Sequence, residues 1–213
     1  SGRRSLIYSP SSLARCGLAA YFNRIGIEQR GRLKPATRLL FDTGHAVQWQ
    51  YNNYFARMFG AEEVLLNADL ELDVLHLAGE ADFILLHPEG KARRVVDLKT
   101  INTANFDRLR SPTILKNGNV TPSDMKSYVW QLHCYMAMAD ATQATLYYVN
   151  KNNSRPKEFS FVFHRKVWDQ IWAKIAATEH AVETGIAPPA EPNKFYCPEC
   201  PFFWHCKPPG VRP

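Results

Sequence analysis

The stretch from Gly79 to Thr100 does most to restrict the fold: two apolar runs, each interrupted by acids, joined by the turn sequence His87-Pro88-Glu89-Gly90. Short runs of this kind, bounded by Pro and Gly, read as neighbouring antiparallel strands. Side chains alternate along a strand, so Asp97 and Lys99 share one face while Val96 and Leu98 turn to the core. Glu80 and Asp82 likewise share a face on the partner strand, and the turn brings Asp82 beside Asp97. Two carboxylates and a lysine then converge on one spot. That grouping suits phosphodiester hydrolysis, since Mg²⁺ or Mn²⁺ takes carboxylate oxygens and makes a hydroxide available. A lysine beside the metal orients the attacking water or offsets transition-state charge. Taken alone, Asp-x-Lys would read as solvated charge on an exposed strand pair.

The rest of the chain frames this hairpin. Ser9 and Pro10 look like the start of a helix running from about Ser11 to Ile25, with Cys16 on its second turn. Basic loop residues follow (Arg30, Arg32, Lys34, Pro35), then a longer helix from about Ala36 to Phe59. Leu39, Leu40, Ala46, Val47, Tyr54 and Met58 suggest its buried stripe. Short β-type runs occupy Val64–Leu66 and Leu70–Leu77 ahead of the hairpin, making a meander. Asn102 to Ser123 holds Pro112, Asn117-Gly118-Asn119 and Pro122 and reads as a long loop with little structure of its own. A helix to about Asp140, strands at Ala144–Asn150 and Glu158–Phe163, and an amphipathic helix from Arg165 to Thr184 complete the pattern. Gly185 stops that last helix, and a Pro-rich passage leads into a Cys- and aromatic-rich tail.

A chain of 213 residues fits one domain, and residues 1–213 are read as one. No apolar run approaches the ~20 residues that cross a bilayer, and Ser1 to Ser5 lacks a secretory apolar stretch. These features point to a cytoplasmic protein with no membrane partner. Net charge is +6 and the pI about 9.1, which suits a polyanion such as nucleic acid. Five cysteines in such a chain point to metal or redox chemistry rather than a disulfide framework.

Gly79-Glu80-Ala81-Asp82, Asp97-Leu98-Lys99 and Gln131-x-x-x-Tyr135 together resemble motifs of RecB-type nucleases in the PD-(D/E)XK superfamily. The resemblance implies an α/β, restriction-endonuclease-like fold: a mixed central sheet flanked by helices. It implies Asp82, Asp97 and the carbonyl of Leu98 as metal ligands, with Lys99 catalytic. Gln131 and Tyr135, four apart and on one helical face, would approach substrate and active site. The family's first motif is usually Gly-x-x-x-His; here Gly44-His45-Ala46-Val47-Gln48 places Gln48 where the His is expected. A Gln oxygen can ligate Mg²⁺, and His45 is the nearby alternative, about 100° per residue around the helix.

The tail reads Cys197-x-x-Cys200-x₅-Cys206, three thiolates in search of a fourth, either Cys16 or Cys134. Iron–sulfur nucleases of this superfamily, among them CRISPR-adaptation exonucleases and related phage-encoded exonucleases, join one early cysteine to three near the carboxyl end. Cys16, Cys197, Cys200 and Cys206 match that arrangement, implying a [4Fe-4S] cluster held by elements at 9–25 and 195–207. Phe195, Tyr196, Phe202, Phe203 and Trp204 would shield it. Zinc is the rival occupant of four cysteines, and His205 a spare ligand. The resemblance thus implies a Mg²⁺- or Mn²⁺-dependent deoxyribonuclease, an exonuclease on single strands or DNA ends. Its setting would be recombination, repair, CRISPR adaptation or phage DNA metabolism, alongside helicase, recombination or adaptation proteins. The alternative is a catalytically weak iron–sulfur adaptor that binds nucleic acid.

Overall fold

The computed structural model describes residues 7–29, 35–60, 62–193, 196–207 and 210. The basic loop residues Arg30, Arg32 and Lys34, and Phe195 of the tail, lie outside these. A five-stranded sheet runs in the order β1-β2-β3-β6-β7, from β1 (Val64–Leu72), β2 (Leu77–Leu86), β3 (Ala92–Ile101), β6 (Gln143–Asn150) and β7 (Pro156–Val162). Every neighbouring pair is antiparallel except β3 and β6, so the sheet is mixed. The expected runs at 64–66 and 70–77 are one strand and a 3₁₀ turn at Asp73–Leu75, because β1 pairs with β2 along nearly its whole length. Parallel strands cannot be joined by a tight turn, and the connection from β3 to β6 carries a helix, α5 (Lys126–Met138).

Two apolar layers sandwich the sheet. On one face lie α5, α6 (Arg165–Thr184) and the short α1 (Pro10–Leu13), around a core that includes Val95, Leu132, Leu146 and Ile171. On the other lies α3 (Pro35–Phe59), the one helix on that face among the described residues. Its sheet-facing stripe is Val47, Tyr51, Phe55 and Phe59, and of the stripe expected above Val47 alone belongs to it. Leu39, Leu40, Tyr54 and Met58 are exposed, and Ala46 with them. Aromatic packing selects this rotation of the helix. Phe55 meets Phe83 with ring centroids 4.6 Å apart, and Tyr51 and Phe55 both meet Tyr147 at 6.0 Å. Large rings offset or edge-on bury more area than the aliphatic stripe could.

Two further expectations change. The single amino-terminal helix is two, α1 and α2 (Gly17–Arg24), with extended backbone at Cys16 between them. The Glu191 carboxylate accepts a 2.8 Å hydrogen bond from the Gly17 N–H, satisfying an orphan donor of the first turn of α2 from outside the helix. Cys16 is thereby the residue that precedes a helix and not one inside it. The stretch 102–123 is also structured. Asn102 caps α4 (Thr103–Arg108) through the Asn105 N–H, and Phe106 is buried in the main core. A small hairpin, β4 (Thr113–Ile114) and β5 (Val120–Thr121), follows. At its tip Gly118 has φ +86° and lies so close to the Lys166 backbone that a Cβ would approach to 2.8 Å. Gln170 donates to the Asn117 carbonyl, which holds the hairpin on the start of α6. Arg108, Arg110 and Lys116 are exposed along this stretch.

Candidate active site and cysteine recess

The strand pairing that builds the sheet also opens it. Between β2 and β3 the ladder pairs Ile84 with Val95 and Phe83 with Val96, and goes no further toward the acids. Beyond that point Asp82 takes over the role of a backbone partner: its Oδ2 accepts the Leu98 N–H at 2.6 Å. Gln48, reaching in from α3, donates to the other oxygen of Asp82, also at 2.6 Å. Asp97 is 2% exposed on the face toward α5, and Gln131 donates to its Oδ1 at 3.1 Å. The same Gln131 amide donates to the Tyr135 hydroxyl at 3.0 Å, leaving the phenolic O–H free to donate elsewhere. Lys99 Nζ stands 2.6 Å from the buried Asp97 Oδ2 and forms an ion pair with it.

Thus Gln48, Asp82, Asp97, Leu98, Lys99, Gln131 and Tyr135 come together at the notch between β2 and β3. His45 and Glu80 do not join them directly. His45 is exposed one turn before Gln48, and Glu80 is exposed, its charge reaching Asp82 only as the weakest of several influences. The expected shared face of Glu80 and Asp82 fails because β2 changes sides at this point: Ala81 packs with the α5 core, whereas Phe83, two residues on, packs with α3.

Electrostatics mark the notch as short of positive charge. Burial first, and the Asp97 charge second, push the Asp82 carboxyl up to about 7, against the opposing pull of Lys99 and the Leu98 N–H. For Lys99 burial acts to lower the pKa, but Asp97 and Asp82 outweigh it and hold the ammonium charged. Tyr135 is pushed up to about 12, chiefly by burial, so its hydroxyl is protonated at neutral pH. Two acids against one lysine, with one acid forced toward neutrality, fit a divalent cation held between them. Oxygen donors alone suit hard Mg²⁺ or Mn²⁺. Asp82, Asp97, the Leu98 carbonyl and the Gln48 amide oxygen are the donors available. Only two of these are acids, and among the described residues no three His, Cys, Asp or Glu side chains are placed to hold a single metal ion.

A second feature lies where α2 meets the Cys-rich segment that follows α6. Cys16, Cys197, Cys200 and Cys206 line one recess of about 340 Å³, partly open to solvent, with Leu18, Phe22, Phe202 and Phe203 forming its apolar wall. Phe202 and Phe203 are buried and Phe202 lies against Phe22 at 5.7 Å, but Tyr196 and Trp204 are about half exposed and shield little. Cys134 is elsewhere, fully buried in the main core on α5, where burial drives its thiol pKa upward. His205 turns its ring to the Glu28 carbonyl at 3.2 Å. Lys174 was not legible as part of this region. Its ammonium donates to the Arg15 carbonyl, and burial lowers its pKa against the pull of Glu191.

The sequence profile of the PD-(D/E)XK nuclease superfamily matches residues 20–207, and the chain belongs to that superfamily. No curated protein sequence matches the chain. Among solved structures, an alkaline exonuclease (LHK-Exo) from Laribacter hongkongensis superposes with a TM-score of 0.59 at 12% identity, covering 86% of this chain and 91% of that one. A second structure of LHK-Exo, in complex with dAMP, gives the same values. The protein SSO0001 superposes with a TM-score of 0.55 at 14% identity, covering 98% of this chain and 88% of that one. At such identities the likeness is one of fold. Among the described residues no helix is long and apolar enough to cross a membrane.

Proposed function

We propose that this chain is a single-domain, Mg²⁺- or Mn²⁺-dependent deoxyribonuclease of the RecB type that cuts from single-stranded or frayed DNA ends. The observation that carries the reading is the convergence of Gln48, Asp82, Asp97, Lys99 and Gln131 on one notch short of positive charge. A divalent ion held by Asp82, Asp97, the Leu98 carbonyl and Gln48 would supply charge neutralisation at the phosphate and a water of lowered pKa. The chain's own residues do the rest. Lys99, kept charged by its two acids, stands ready to orient the attacking water and to offset charge developing on the phosphate. Gln131 fixes Asp97 in one rotamer and lines up Tyr135, whose free O–H offers a donor to a phosphate oxygen. The basic balance of the chain and the exposed Arg108, Arg110 and Lys116 supply phosphate contacts beside the catalytic strand.

The same reading gives the cysteine recess a [4Fe-4S] cluster. Four cysteines from the two ends of the fold lining one apolar recess are the donor set a [4Fe-4S] cluster needs, with zinc the rival occupant. A cluster there ties the amino-terminal segment to the tail. End-labelled single- and double-stranded DNA incubated with Mg²⁺ or Mn²⁺ tests the catalytic part. Cleavage is expected to require the ion and to vanish in Asp97→Ala and Lys99→Ala, whose fold and colour are retained. Parental rates in both variants would remove the site assignment.

A further inference from the structure

The ladder between β1 and β2 pairs Leu66 with Phe83 and Ala68 with Ala81, but skips Asn67 and Asp82 between them. At the same place both strands exchange faces. Leu66 and Phe83 pack with α3, whereas Ala68 and Ala81 pack with the α5 core, although strict alternation would keep each pair of neighbours two apart on one side. Asn67 makes this turnover with φ +48°, the left-handed conformation that Asn tolerates better than most residues. A local irregularity of this kind re-aims the side chain beside it. Here the re-aimed side chain is Asp82, which leaves the ladder to accept the Leu98 N–H of β3.

One residue of α3 holds the irregularity in place. Asn52, 7% exposed beside the apolar stripe, donates from Nδ2 to Asn67 Oδ1 at 3.0 Å. It stands four residues after Gln48, so one helical face presents one amide to Asp82 and a second to the residue opposite Asp82. Its carbonyl oxygen is buried with no partner among the described residues. A buried polar group kept at that cost calls for a purpose. We infer that Asn52 is a positioning residue: through Asn67 it locks the turnover in β1 and β2 that aims Asp82 at the catalytic notch. In consequence α3 sets both the ligand and its orientation.

The consequence for metal binding rests on the nuclease reading, but the aim of Asp82 can be read without metal or DNA. Amide exchange of Leu98 in the metal-free protein reports the hydrogen bond to Asp82 directly. Asn52→Ala is expected to lower Leu98 protection about tenfold, the effect of losing one good hydrogen bond, with the amides of Val95 and Leu146 unchanged. Asn67→Ala should do the same. Asn67 is exposed, so that variant folds even if Asn52→Ala does not, and alanine disfavours the left-handed conformation. Asn52→Ala/Asn67→Gly should recover most of the protection, since glycine adopts φ +48° without an anchor. A Mn²⁺ titration should then show weaker binding in the two alanine variants and near-parental binding in the double variant. Unchanged Leu98 protection in Asn67→Ala, or failure of glycine to rescue, would overturn the inference. A parental protein that binds no Mn²⁺ would instead overturn the nuclease reading and leave the exchange result to decide the role of Asn52.

Discussion

Asp82→Asn should stabilise the metal-free protein, and by an amount that grows with pH. The carboxyl is raised from its ordinary 3.8 to about 7 by burial and by Asp97. A folded-state pKa above the unfolded one means that the proton's contribution is complete below about pH 4 and is lost as pH rises through 7. At about 1.4 kcal/mol per pH unit, the displacement amounts to about 4 kcal/mol of stability surrendered above pH 7. Asparagine is neutral throughout, and its carbonyl can still accept the Leu98 N–H, while Gln48 can turn its amide to face the new NH₂. Urea unfolding in the presence of a chelator should therefore show a gap between variant and parent. Between about pH 5 and about pH 8 the gap should widen by about 2 to 3 kcal/mol. Mn²⁺ at about a hundred times its Kd should return about 2.7 kcal/mol to the parent, and little to the variant that lacks a charged ligand. A gap of equal size at both pH values, or a variant less stable than the parent at high pH, would refute the argument that uncompensated charge strains the notch.

Other outcomes follow from the same geometry. Protein purified without oxygen should be brown with about four irons per chain, and Cys197→Ser should lose colour and solubility together; a stable, colourless protein with one zinc would exclude the cluster. Cys134→Ser should keep the colour, yet unfold about 1 to 3 kcal/mol more easily, because it sets a hydroxyl in the apolar core. Gln48→Ala should raise the Mg²⁺ or Mn²⁺ concentration needed for half-maximal cleavage, whereas His45→Ala should barely alter it; the opposite order would make His45 the ligand. Linear single strands should be cut in preference to closed circles, and binding should fall steeply with added salt. Removing the β4–β5 hairpin should weaken that preference while sparing the colour, and equal cutting of circles would mark an endonuclease.

Much of the site was legible because strand and helix periodicities act locally. Asp97 and Lys99 fall on one face of β3 by alternation, and Gln131 and Tyr135 on one face of α5 by helical spacing. The gathering of Cys16 with three tail cysteines rested on a resemblance; the four line one recess, but among the described residues no three of them are placed to hold one metal ion, and Cys134 lies in the core. The misread stripe of α3 shows the limit. The expected stripe of Leu39, Leu40, Ala46, Val47, Tyr54 and Met58 shares only Val47 with the true stripe of Val47, Tyr51, Phe55 and Phe59, and the two are nearly equal in apolar content, so periodicity alone could not choose. Phe83 and Tyr147, distant in sequence, made the choice through ring packing.

The break at Cys16 likewise depended on Glu191, and the folded connection after β3 on a docking contact between Gly118 and Lys166. Asn52 could have been noticed as a polar residue four after Gln48 in an aromatic helix, but nothing local says that its partner is Asn67. By itself the sequence determined that Asp97 and Lys99 share one strand face, that Gln131 and Tyr135 share one helical face and that β2 and β3 form a hairpin, because each follows from periodicity or a short turn. The tertiary structure alone decided how Asp82 is aimed, which face of α3 is buried and that α2 meets the Cys-rich segment. Each of those depends on which distant surfaces pack best, a competition whose energies no local pattern contains.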